Sequence, residues 1–86
     1  MKTHHIALIK EEYAILHHKG EKSWELRKNY IDYTIGDDIT FIVVDNNAKE
    51  TGECYTRRIT YVFNNRHMGL VSGYCIFSIS DCEFFD

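Results

Sequence analysis

Eighty-six residues leave room for one hydrophobic core and therefore one domain, 1–86, and hydrophobic and charged fractions of 44% and 27% exclude a disordered chain. A net charge of −3 argues against sequence-blind binding to long polyanions. No apolar run reaches the ~20 residues that a membrane-spanning helix needs. Lys10, Glu11 and Glu12 also break the first apolar stretch before a signal-peptide core can form, so the chain is expected in the cytoplasm, with no membrane partner.

The elements can be read in chain order without help from proline, which the sequence lacks. Thr3–Leu8 is a short β-prone start. Ile9, Tyr13 and Leu16 then recur at helical spacing with Ala14 beside them. Glu11 and Glu12 near the start, and His17, His18 and Lys19 near the end, suit the helix dipole, and Gly20 suits the residue after a helix. Lys10–Lys19 is accordingly predicted as a short amphipathic helix.

Ser23–Lys28 changes to period two, which predicts a half-buried strand with Trp24 and Leu26 in the core and Glu25 and Arg27 on a concave outer surface. Ile35–Asp38 reads as a turn, and Ile39–Val44 as a central strand of β-branched residues. A loop from Asp45 closes at Thr51-Gly52. Glu53–Phe63 is a long strand with Ile59, Tyr61 and Phe63 opposite Thr60 and Val62. A polar loop over Asn64–Gly73, a last strand over Tyr74–Ser80 and an acidic tail, Asp81–Asp86, complete the chain. The order β-α-β-β-β-β predicts a mixed, mainly-β fold: a small closed or half-closed barrel plugged by one principal helix.

Cys54, Cys75 and Cys82 are an odd number without a C-x-x-C pair and are expected as free thiols. The pairs His4-His5 and His17-His18 diverge on either a strand or a helix, so neither chelates alone, and no metal or cofactor is expected. Positive charge is concentrated in two segments. Lys19–Lys28 and Lys49–Arg66 each carry four cations against two carboxylates, while the remainder is acidic. If the two segments meet in the fold, an acidic protein acquires a positive face.

The densest cluster, Gly20-Glu21-Lys22-Ser23-Trp24-Glu25-Leu26-Arg27, fits the pattern Gly-x-Lys-x-x-Glu-x-Arg. With His5, Glu12, Tyr13, Lys28-Asn29, Asp32, Gly36-Asp37, Thr51-Gly52, Arg58–Val62, Gly69-Leu70, Gly73-Tyr74 and Ser78-Ile79, it resembles the ASCH (activating signal cointegrator homology) family of the PUA-like superfamily. The likeness spans nearly the whole chain and is greatest to a short bacterial and phage subgroup. It implies a PUA-like β-barrel whose cleft is lined by the signature residues, here Lys22, Glu25 and Arg27, in a family proposed to bind RNA.

The chemistry suits that expectation. Arg27 can fork onto a phosphate or a base edge, Lys22 supplies a point charge, and Glu25 can orient Arg27 or accept from an exocyclic amine. Arg57 and Arg58 point to opposite faces of their strand, so only one can join the cleft, and Arg58 is the candidate. Lys28 and Tyr30 complete the candidate nucleic-acid-binding set; of the aromatics that could stack on bases, Trp24, Tyr30, Tyr33, Tyr55 and Tyr61, most read as core or rim residues, and Tyr30 and Tyr33 are the best placed. Without the resemblance, the same charges read as an exposed strand face whose ions pair with one another.

An enzymatic alternative follows from the same family, some of whose small members are amidohydrolases acting on N4-acetylcytidine. Their pattern needs a Thr three residues after the signature Lys and a downstream Glu. Here the first position holds Glu25, and Asn64–Gly73 contains no Glu, so no catalytic residue is assigned. A third reading is a non-catalytic protein-interaction module.

Overall fold

Alternation of period two organises most of the chain into strands. The computed structural model describes residues 2–28, 33–63, 69–70 and 73–80. Within them the order is β1 (His4–Lys10), α1 (Glu11–Lys19), β2 (Trp24–Lys28), β3 (Asp38–Val44), β4 (Glu50–Phe63) and β5 (Tyr74–Ile79), the element order predicted. The strands form one sheet in the order β1-β3-β4-β5-β2, with β1 and β3 parallel and the other neighbours antiparallel.

The sheet is open. β1 and β2 are its two edges, and among the described residues no ladder joins them. One side chain reaches across: Arg27 Nη2 donates to the Leu8 carbonyl at 2.9 Å. The seam between the edges is therefore bridged by a guanidinium rather than by strand pairing.

β3 is an interior strand, as its β-branched run predicts, and lies between the edge strand β1 and the middle strand β4. Ile39, Phe41 and Val43 turn to the inner face, where they meet Ile59, Cys75, Phe77 and Ile79. Register sets the rest of that face: His5 and Ile9 of β1 lie beside Ile39 and Val43, and Tyr55 and Arg57 of β4 beside Phe41 and Ile39. β4 begins at Glu50, so Thr51 and Gly52 belong to the strand and not to the preceding loop. The Asp45 carboxylate closes that loop by accepting from the backbone N–H groups of Asn47 and Lys49.

α1 starts one residue later than predicted and ends as predicted. Gly20 has φ 75°, and the Gly20 and Glu21 N–H groups bond the His17 and Leu16 carbonyls, the two bonds of a Schellman end. Its buried residues are Ala14 and His17, while Tyr13 is exposed. The apolar spacing of Ile9, Tyr13 and Leu16 is not the packing face, because Ile9 belongs to β1 and His17 finds polar partners beneath the helix.

Two face assignments are corrected. In β2 the alternation holds with its sides exchanged: Trp24 and Leu26 are 46% and 49% exposed, while Glu25 is 5% exposed. Glu25 and Arg27 lie beside Phe77 and Cys75 on the inner face. Hydrophobicity would place them the other way. The inward carboxylate is tolerated because it meets charged partners there, and an edge strand leaves its outer residues uncovered. In β4 the ladder slips between Ile59 and Tyr61. This irregularity turns Tyr61 outward and packs Val62 against the core, opposite to the simple alternation expected.

Candidate functional site

The exchange of faces in β2 decides where the charged signature goes. Glu25 and Arg27 point inward at the seam, and the Schellman end of α1 delivers Lys22 to the same place. Lys22 Nζ lies 2.5 Å from Glu25 Oε1, and Arg27 Nε lies 3.4 Å from Oε2. From above, His17 Nε2 stands 3.0 Å from Glu25 Oε1 at ion-pair range but off hydrogen-bond alignment. Burial pushes the Glu25 pKa up, but contacts with His17 and Lys22, and the charges of Lys22 and Arg27, prevail and hold it below its ordinary value. Glu25 is thus an anion fixed among cations.

Behind it the network runs into the core. His17 Nδ1 and the Tyr55 hydroxyl are hydrogen-bonded at 2.7 Å, and the His17 ring rests against Phe41 with centroids 5.1 Å apart. Burial raises the Tyr55 pKa, so its hydroxyl stays protonated at neutral pH. The Arg57 guanidinium lies 5.2 Å from the Tyr55 ring centroid and donates through Nη1 to the Ser80 carbonyl at 2.7 Å. Its buried Nε has no hydrogen-bond partner among the described residues. From sequence, His17 reads as a helix-end residue and Tyr55 as one of several aromatics that could stack on bases, and neither is placed in the charged cluster. A signal existed for Tyr55 and Arg57, which sit four and two residues before the core residue Ile59 and so share its face. For His17 the apolar periodicity pointed to the wrong stripe of α1.

Two hollows open beside Glu25, the first at the seam between β1 and β2 and the second between α1 and β2. One of about 290 Å³ is lined by Leu8, Lys10, Tyr13, Glu25 and Arg27 among others. The other, about 270 Å³, is lined by Tyr13, Lys22, Trp24, Glu25 and Leu26. They share Tyr13, Glu25 and Leu26 as lining, so the two hollows adjoin and together make up the groove. Lys10, Lys22 and Arg27 bring three cations to it against the single carboxylate of Glu25. In the second hollow the Lys22 ammonium lies 4.8 Å from the Tyr13 ring centroid and 4.6 Å from that of Trp24.

The remaining candidates are elsewhere. Arg58 lies on the outer face of β4, its Nε 3.2 Å from Asp38 Oδ1, and is not brought to the groove. The arginine of that strand on the inner face is Arg57. Lys28 points outward, with Nζ 5.7 Å from the Tyr74 ring centroid. Tyr30 lies outside the described residues. Tyr33 does not project as a free stacking surface: its ring packs against His5 and Phe77, both at 4.7 Å. His5 is committed to Asp37, 2.8 Å away, and that carboxylate also accepts from the Thr3 and Thr34 N–H groups. This cluster clasps β1 to the turn before β3. Among the described residues no group of His, Cys, Asp or Glu is arranged to hold a metal ion.

An open five-stranded sheet with one short helix, and a cation-lined groove beside its edge strands, make this a small, mainly-β module. Residues 3–79 match the family described as a domain of unknown function, DUF3850, and the chain belongs to that family. No curated protein matches it.

Proposed function

We propose that the chain is an ASCH-type module of PUA-like, half-closed barrel form that binds single-stranded RNA or a modified nucleotide in the groove between β1 and β2. The observation that carries this reading is the excess of cations in the two adjoining hollows: Lys22 and Arg27 stand against Glu25, and Lys10 lines the same hollow as Arg27, with Glu25 the single carboxylate among the lining residues. An anionic ligand of small cross-section fits this charge. Arg27 is held by the Leu8 carbonyl and Glu25, so its guanidinium is pre-oriented at the groove. A phosphate there would be contacted by Arg27 and Lys10, while Glu25 accepts from an exocyclic amine.

A structural role for the same ions competes with this reading. It is favoured by the short Lys22–Glu25 contact and by the Arg27 bridge across the seam. Backbone amide shifts in a ¹⁵N-labelled sample titrated with a six-nucleotide RNA separate the two. Ligand binding moves the resonances of Leu8–Tyr13 and Lys22–Arg27 together and leaves the outer face around Asp38 and Arg58 in place. An unchanged spectrum, or shifts confined to the outer face, overturns the proposal in favour of the structural role.

A further inference from the structure

Trp24 is the one tryptophan of the chain, and it lies on the surface. With Tyr13, which is 40% exposed, it flanks Lys22 in the hollow that continues the cationic groove. The Lys22 ammonium sits within cation–π range of both rings and is itself fixed by Glu25, with 12% of its side chain exposed. Each ring therefore has the part-buried Lys22–Glu25 ion pair against it and still keeps a large part of its surface exposed. A pre-positioned aromatic surface loses little conformational freedom when a flat partner lies on it.

We infer that Tyr13 and Trp24 form a stacking platform for an unpaired nucleobase, one nucleotide along from phosphates held by Arg27 and Lys10. This rests on the nucleic-acid reading above and specifies it: the ligand is a single strand with at least one splayed base, and the bare sugar–phosphate chain does not suffice. Charge favours this occupant over an apolar peptide, because the groove that joins the hollow carries Lys10 and Arg27 on its walls. Stacking accepts any base, since every base offers a π-face, so the platform adds affinity without reading sequence.

Trp24 supplies its own probe. Intrinsic fluorescence is followed while the protein is titrated with a hexauridylate and, separately, with an abasic hexamer of the same charge. The base-bearing strand is expected to quench Trp24 emission and to bind about ten-fold more tightly than the abasic one. In Tyr13→Leu, and in Trp24→Leu followed by anisotropy of labelled strands, the two strands are expected to bind alike, at the affinity the wild type shows for the abasic strand. Trp24→Phe, which keeps a ring, should retain part of the preference. Both positions are exposed, and circular dichroism of each variant verifies that the fold persists. Equal wild-type binding of the two strands with unchanged Trp24 emission overturns the platform and leaves the nucleic-acid reading standing. Binding of neither strand overturns both.

Discussion

Glu25 organises the candidate site. A carboxylate this buried needs partners, and it has Lys22, Arg27 and His17. Removing it leaves two cations facing each other beside a buried imidazole. Glu25→Ala is expected to lower unfolding stability by about 3 kcal/mol, the scale of breaking a buried ion pair, read from urea denaturation. Its pH dependence has a definite sign. Glu25 and Asp37 both have pKa values below their ordinary 4.5 and 3.8 in the folded chain. The unfolded chain therefore binds more protons as pH falls, so their stabilisation is present above the ordinary values and is lost as pH drops through the folded ones. The denaturation midpoint should fall below about pH 4.5, and Glu25→Gln should flatten part of that fall. A midpoint constant down to pH 3 would contradict this account of both carboxylates. His17 carries a separate expectation: His17→Ala strands the Tyr55 hydroxyl in the core and should cost about 1–3 kcal/mol.

At the scale of elements, β2 is where sequence and structure part. Its period was legible and its phase was not. Trp24 and Leu26 are the apolar members of the alternation, and transfer energy alone would bury them; Glu25 and Arg27 go inward because His17, Lys22 and the Leu8 carbonyl wait there. Lys22 is a local partner, three residues before Glu25, but His17 and the Leu8 carbonyl come from α1 and β1, and no pattern in Ser23–Lys28 announces them. The irregularity in β4 is similar: Tyr61 and Val62 exchange sides at a slip set by the register with β5. By contrast, β3 was legible to within one residue, starting at Asp38 and not Ile39, and the end of α1 to the residue, one from its β-branched run and the other from Gly20, because both depend on neighbouring residues. The reversed phase of β2 has a direct test. Leu26→Ser should change stability by no more than about 0.5 kcal/mol, as at ordinary surface positions. Phe77→Ala, on the inner face of the paired strand, should cost about 3–5 kcal/mol. Equal costs at the two positions would contradict the orientation of β2.

Over the whole molecule, an acidic chain gathers Lys10, Lys22 and Arg27 at the seam that its sheet leaves open. The hollow that holds Lys10 and Arg27 has β1 on one side and β2 on the other, so a ligand there would lie across both edge strands. Because few cations are involved, binding should be modest and its salt dependence shallow. The most direct test is the affinity of a labelled six-nucleotide RNA, measured by anisotropy at several salt concentrations. With two or three phosphates neutralised, log affinity against log salt should fall with a slope of about −0.7 per phosphate, and Arg27→Ala, which removes a phosphate contact, should weaken binding alike across sequences and make the slope shallower by about one phosphate's share. No binding of RNA, single-stranded DNA or modified nucleosides at low salt would contradict a nucleic-acid role for the groove and leave its charges as a structural clasp across the seam.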